Sequence, residues 1–224
     1  MNISKTLGAF GTLSIANFGR KHAEKCAAHK DMEIQARGVA VMQNVTDLEQ
    51  AYAARRPLAA LWTQATDAKD AADDALDDAV RALSYDLLGP SALKGDRSSP
   101  LYKALFPAGN IAFIDGPDRA EIAQVQGMAA HLEANPQHPM AGRAADLRSK
   151  CAALEAALGP LASAEAAFRA AQGLERDKRD ALCRSLRKSV TFLRDRLDAD
   201  EKKVEALFPT IAESKVAGDE QPAA

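Results

Sequence analysis

The chain has 224 residues, and its charge is nearly balanced, with 29 Lys and Arg against 31 Asp and Glu. Its 48 alanines and its aromatic content of only 5% favour helices and argue against a β-rich core. A near-neutral chain has no general attraction to nucleic acid, so no nucleic-acid partner is expected, and no run of 18 apolar residues is present to span a bilayer. Three cysteines are too few for a disulfide framework, so we expect a reducing compartment, the cytoplasm.

The first 19 residues, 1–19, are predicted to form an arm apart from a helical bundle. The segment is rich in glycine, yet it carries apolar side chains that need cover from the bundle or from a partner. Phe10, Leu13 and Phe18 are therefore candidate contact residues. An alternative hypothesis is a membrane-active helical protein whose amphipathic N-terminus inserts into lipid.

Residues 20–212 are predicted to form the helical bundle. In its first part, 20–56, apolar residues recur at helical spacing, and only Gly38 interrupts the pattern. Pro57 then either begins a new helix or kinks the existing one. The strongest pattern in the sequence, Leu61–Leu87, alternates steps of three and four residues, and a Gly-Pro pair follows it. This pattern predicts a long amphipathic helix.

A connector, 89–117, separates this helix from the next. Within it, the pattern after Ser99 and Pro100 predicts a short helix over 101–106. A further helix is predicted to begin at Asp118, because the acidic residue three positions later completes a capping-box pattern. Its apolar face consists of Ile122, Val125, Ala129 and Leu132.

The last long segment, 141–208, follows a break at 135–139. Its apolar register continues through Gly159-Pro160, which favours a single kinked helix over two helices folded back on each other. Residues 213–224 are polar and small, and we expect them to form a tail.

Two halves of the sequence, about 20–110 and 118–212, have similar patterns. Pro57-Leu58-Ala59 recurs as Pro160-Leu161-Ala162, 103 residues later, and an Ala-Leu-Phe-Pro sequence follows each rod. A single amphipathic hairpin cannot bury its own apolar face, so the sequence predicts an all-α antiparallel bundle of long, proline-kinked amphipathic helices. Internal duplication is a hypothesis that the repeat raises.

The nine residues Ser99-Pro100-Leu101-Tyr102-Lys103-Ala104-Leu105-Phe106-Pro107 lie between the alanine-rich rods. This stretch resembles a loop of bacterial alanine-rich helical proteins. The resemblance implies the helical architecture and carries no activity with it.

One stripe of residue types suits a metal ion. His22, Cys26, His29 and Glu33 are spaced to lie on one side of a single helix. Imidazole and thiolate bind zinc and other late first-row metals, so a bundle protein that binds a metal or small ligand here is an alternative hypothesis. One straight helix rarely surrounds an ion, and a polar, solvated stripe explains the pattern equally.

Charge is distributed unevenly between two predicted rods. Residues 58–88 have a net charge of −5, and residues 174–196 have a net charge of +4. Opposite charges allow these rods to pack within one chain or to join successive copies into a ring or a filament. The candidate contact residues are Asp70, Asp74, Asp77, Arg176, Arg184 and Arg187.

No catalytic constellation emerges from the sequence. It lacks a P-loop, Cys-x-x-Cys, His-Glu-x-x-His and Glu-x-x-His. We therefore expect a structural or interaction protein, a helical scaffold that forms homo-oligomers, with no enzyme activity and no cofactor.

Overall fold

The computed structural model describes residues 7, 10–89, 92–107, 109 and 118–216, which form helices and no strand. The predicted all-α helical bundle is confirmed. The helices are α1 (Thr12–Ala27), α2 (Met32–Leu88), α3 (Pro100–Leu105), α4 (Asp118–Ala134), a 3₁₀ helix (Ala141–Arg143), α5 (Ala144–Arg196), α6 (Glu201–Ala206) and α7 (Ile211–Ser214).

Two helices are unusually long and contain an internal proline. α2 has 57 residues with Pro57 inside it, and α5 has 53 residues with Pro160 inside it. At 1.5 Å per residue their lengths are about 85 Å and about 80 Å. Pro57 therefore does not begin a new helix, and the predicted continuity through Pro160 is confirmed. A proline removes one backbone hydrogen bond, which a long alanine-rich helix tolerates.

The helical pattern of 20–56 is divided in the structure. α1 ends at Ala27 and α2 begins at Met32, because Asp31 caps the second helix. Its carboxylate accepts hydrogen bonds from the backbone N–H groups of Glu33 at 2.8 Å and Ile34 at 3.4 Å. An aspartate at the N-cap satisfies amides that have no partner inside the helix.

The last segment also ends earlier than predicted. α5 stops at Arg196, and Asp198 and Ala199 follow with positive φ angles of 54° and 58°. Residues in this left-handed conformation cannot continue an α-helix. Asp200 then caps α6 by accepting from the Lys203 N–H at 3.2 Å.

The chain divides into two compact units. We call Met1–Ala59 with Ala167–Ala224 the terminal unit, and Ala60–Ala166 the central unit. α2 and α5 each contribute one segment to both units. The units do not coincide with the predicted halves, since each contains residues from both. Internal duplication remains a prediction.

The core of the terminal unit includes side chains that were predicted to form a free arm. Phe10 and Phe18 are 3% and 0% exposed, with ring centroids 6.1 Å apart, and Phe18 stacks on Phe208 at 6.1 Å. Leu13 is half-buried. The expectation that Phe10 and Phe18 contact a partner or lipid is therefore corrected, because their rings fill the core of their own unit. The predicted boundary at residue 19 lies inside α1.

The predicted tail is also packed at its start. Thr210 and Glu213 form a capping box at α7. Asn17 donates to the Ser214 carbonyl at 3.2 Å, and the Val216 N–H donates to Ser14 Oγ at 3.1 Å. Residues 213–216 therefore contact α1, and the rest of the predicted tail, 217–224, lies outside the described residues.

The core of the central unit confirms the predicted apolar face of α4 and the 76–87 part of the predicted face of α2, whereas Leu61, where the α2 pattern begins, is 53% exposed. It contains the 76–87 part of α2, the face of α4 and the 147–154 part of α5, with α3 packed against them. The Tyr102 hydroxyl lies 3.1 Å from Ser84 Oγ in a buried hydrogen bond. The predicted short helix of the connector is thus an anchor for the end of α2.

Gly38, which interrupts the helical pattern in the sequence, marks the closest approach of α1 to α2. A Cβ atom at this position would lie 2.8 Å from the Ala23 carbonyl oxygen and 2.8 Å from Cys26 Cβ. Both are fixed positions of the neighbouring helix, so no flexible side chain can move aside. Glycine is required here by the distance between two helices.

We predict that Gly38→Ala lowers the free energy of unfolding by about 1–3 kcal/mol, because overpacking outweighs the better helix propensity of alanine. Gly173→Ala in α5 is the matched control, since its Cβ would meet nothing within 4 Å. It should stabilise the protein by about 0.5–1 kcal/mol. Urea unfolding followed by circular dichroism measures both, and equal stabilisation by the two substitutions would contradict the close approach.

Candidate functional sites

The predicted metal stripe does not form one site. His22 and Cys26 lie on α1, His29 lies in the turn after it, and Glu33 lies in the first turn of α2. The Asp31 cap that separates the helices breaks the single-helix spacing on which the prediction depended. Within the described residues, no three His, Cys, Asp or Glu side chains are grouped to hold a metal ion.

His22 is a buried structural residue. Its ring stacks on Phe208, with centroids 4.0 Å apart and an angle of 5° between the planes. Nδ1 lies 2.8 Å from the Leu207 carbonyl oxygen, so a neutral imidazole protonated at Nδ1 donates to it. Burial, which outweighs the opposing hydrogen bond to Leu207, and to a smaller extent the positive charges of Arg37 and Lys25 together lower the pKa of His22 to about 4. The ring is therefore neutral at physiological pH.

The other members of the stripe have separate environments. Cys26 is buried with its Sγ 3.7 Å from His22 Nε2, and burial raises the pKa of its thiol to about 11. A thiol with a raised pKa is a poor nucleophile and a poor metal ligand at neutral pH. His29 accepts a hydrogen bond from the Asp31 N–H at 3.0 Å. Glu33 is exposed and lies 3.5 Å from Arg196.

The basic candidate residues lie on the terminal unit. Arg176, Arg184 and Arg187 are exposed on α5 and make no ion pair with any residue that the structure describes. We call these three residues the basic surface. Neighbouring cations of α5 are neutralised within the unit, since Lys178 pairs with Asp47 at 2.8 Å and Arg196 pairs with Asp31 at 2.6 Å.

The acidic candidate residues lie on the central unit, and they differ in exposure. Asp70 and Asp74 are exposed, as is Asp67 one turn earlier, and we call these three residues the acidic surface. Among the described residues, Asp70 is the one member of this surface with a cation within reach, Lys69 at 3.7 Å. Asp77 is different, because its side chain is mostly buried and it pairs with Arg81 at 2.9 Å. The expectation of a free contact at Asp77 is therefore corrected.

Asp77 faces Glu121 of α4, a residue that sequence reasoning assigned to a helix cap. Glu121 is 2% exposed, and its Oε1 and the Asp77 Oδ1 are buried with no hydrogen-bond donor among the described groups. Burial, and after it the negative charge of Asp77, raise the pKa of Glu121 to about 8. A protonated Glu121 donates to Asp77 and so satisfies both carboxyl groups.

The sequence contains a signal for this pair. Glu121 has the same helical spacing as Val125, Met128 and Leu132, which are all buried on the inner face of α4. A carboxyl group in such a stripe is expected to be buried and neutral. Its partner Asp77 sits among six other aspartates between 58 and 88, so the sequence alone does not single it out.

Comparisons with known proteins identify no relative. No family model, no curated protein and no solved structure matches this chain. In the part of the chain that the structure describes, no helix has the length and apolar character needed to cross a membrane.

We predict that His22 makes stability fall as the pH decreases from about 6.5 to about 4. The unfolded chain binds a proton below its ordinary pKa of 6.5, whereas the folded ring does so only near pH 4. For one such group, the free energy of unfolding changes by about 1.4 kcal/mol per pH unit. His22→Phe should remove this slope, as urea unfolding over this pH range would show. Phe208→Leu is the control, because it should lower stability and keep the slope.

We predict the opposite pH dependence for Glu121. Its pKa is raised from 4.5 to about 8, so the free energy of unfolding of the fold should fall as the pH rises between these values. Glu121→Gln should abolish this fall and raise stability at pH 8, because the amide donates to Asp77 without a proton to lose. Glu155→Gln, at an exposed position of α5, is the matched control. An unchanged pH profile in Glu121→Gln would contradict the shared proton.

Proposed function

We propose that the protein is a non-catalytic helical scaffold that assembles with further copies of itself through complementary charged surfaces. The observation that supports this proposal is exposed charge on both units, most of it unpaired among the described residues. Three arginines of the basic surface have no acidic partner among the described residues, and three aspartates of the acidic surface remain exposed. Charged groups that stay unpaired within one copy are free to pair with the opposite surface of another copy.

The size of the effect depends on how many pairs form together. An exposed ion pair contributes about 0.2–1 kcal/mol, so a single pair cannot hold two copies together. Three pairs in one contact contribute about 0.6–3 kcal/mol together, so the proposed association also requires burial of neighbouring apolar surface. Exposed apolar side chains are present beside both surfaces, with Leu174 49% exposed in the terminal unit and Leu61 53% exposed in the central unit.

The proposed contact joins two different surfaces. If each surface binds the opposite one on the same neighbour, the product is a two-fold dimer. If each binds a different neighbour, the product is a ring or a filament. We propose the cytoplasm as its compartment, because Cys26, Cys151 and Cys183 are all free and buried, as in proteins kept in reducing conditions.

We predict that the wild-type protein has a mass in solution above the 23.8 kDa of one chain, and that this mass falls towards one chain at high salt. The reason is that the screening length decreases from about 10 Å at 0.1 M to about 3 Å at 1 M ionic strength. Light scattering on a size-exclusion column measures the mass. A mass of one chain at both salt concentrations would contradict self-assembly.

Charge reversal tests the two surfaces directly. Arg184→Glu and Asp74→Arg should each reduce the assembled fraction at low salt, and the double variant should recover part of it, since the pair is restored with reversed charge. Arg56→Glu is the matched control, because Arg56 is exposed in the terminal unit and lies outside the basic surface. If Arg56→Glu reduces assembly as much as Arg184→Glu, net charge and not a specific contact is responsible.

A further inference from the structure

A concave surface lies at the C-terminal end of α2 in the central unit. Its volume is about 710 Å³, and an adjoining concavity of about 560 Å³ shares Tyr85, Asp86, Gly89 and Arg143 with it. Volumes of this size are typical of small-molecule sites. We call the two together the Tyr85 groove.

Three arginines from three separate segments line the Tyr85 groove. They are Arg81 on α2, Arg97 in the loop after α2, and Arg143 in the 3₁₀ helix. Asp86 is the single acidic residue of the lining, and Arg143 pairs with it. Arg81 is paired with aspartates of α2 as well, so the attraction of the groove for an added negative charge comes from Arg97.

Arg97 has the guanidinium that is most available to a ligand. Arg81 pairs with Asp77 and Asp78, whereas Arg97 is exposed and has no hydrogen bond or ion pair to any described residue. A free guanidinium presents a planar fork of donors that matches a carboxylate or a phosphate.

The loop that carries Arg97 is held by backbone hydrogen bonds. Lys94 and Gly95 have positive φ angles of 50° and 83°, and the Gly95 N–H donates to the Leu88 carbonyl at 2.8 Å. Asp96 then accepts from the Ser98 N–H at 2.8 Å. The bond from Gly95 also satisfies the Leu88 carbonyl at the end of α2, which would otherwise repel an anion. Arg97 therefore stands on a defined turn beside the groove.

The groove also offers an apolar surface. The Tyr85 side chain is 80% exposed, and Leu88, Pro139 and Met140 line the same concavities. An exposed tyrosine ring stacks on planar groups, and the thioether of methionine adds contacts with ring edges. The combination of a ring surface with convergent arginines selects one kind of ligand.

We propose that the Tyr85 groove binds a small ligand in which a planar ring carries an anionic group. The anion contacts Arg97 and Arg143, and the ring stacks on Tyr85. A phosphate ester and a carboxylate share this chemistry, and the two are distinguished by titration. This site is independent of the proposed assembly, because it uses neither the acidic surface nor the basic surface.

The test is isothermal titration of the full chain with phenyl phosphate, with phenylacetate and with inorganic phosphate. We expect at least one ring-bearing anion to bind more tightly than inorganic phosphate. Arg97→Gln and Tyr85→Ala should each weaken that binding by about tenfold or more, which corresponds to about 1.4 kcal/mol. Arg148→Gln is the matched control, because Arg148 is exposed in the same unit outside the groove. It should bind as the wild type does.

Three outcomes would overturn the proposal. The first is no binding of either ring-bearing anion up to about 1 mM. The second is unchanged binding in Arg97→Gln, and the third is equal affinity for phenyl phosphate and inorganic phosphate, which would show that the ring contributes nothing. Both exposed substitutions should leave the circular dichroism spectrum unchanged, so a loss of binding would not reflect unfolding.

Discussion

Alanine-rich helices bury little apolar area per residue, and this limit shapes the whole fold. Buried side chains are confined to two clusters, one in each unit. None of the α2 residues 52–75 is buried, nor any of the α5 residues 155–174, although both helices continue through these stretches. Alanine's high helix propensity supports the backbone where packing does not. Pro57 and Pro160 both fall in these stretches, where a lost hydrogen bond disturbs no core packing.

Each unit has one core cluster, and the stability of that unit depends on the protonation state of the titratable side chain buried in it. The terminal unit buries His22, and the central unit buries Glu121, each in its neutral form. A fold that holds a base in its neutral form is more stable at higher pH, and a fold that holds an acid in its neutral form is more stable at lower pH. The two effects oppose each other between about pH 4.5 and 6.5. Near neutral pH the contribution of His22 is therefore small, whereas that of Glu121 remains.

The sequence predicted the parts of this fold that depend on local pattern. The all-α class, the register through Pro160 and the inner face of α4 follow from apolar spacing. It did not predict the break at 28–31, because the apolar pattern is similar on both sides and one cap at Asp31 decides it. The sequence left open whether Phe18 is covered by its own bundle or by a partner. Its packing on Phe208, which is far away in the sequence, decides this. The Asp77–Glu121 pair depends on two helices meeting, which spacing within one helix cannot specify.

Because alanine-rich helices bury little of the chain, the candidate functional groups are surface residues. Both buried polar groups that resemble catalytic residues, the Cys26 thiol and the Glu121 carboxyl, have raised pKa values and are closed to solvent. A catalytic acid or nucleophile must reach a substrate, and neither of these two groups is exposed to one. Exposed groups that have no partner among the described residues, Arg184 and Arg97 among them, are available to bind something outside the chain.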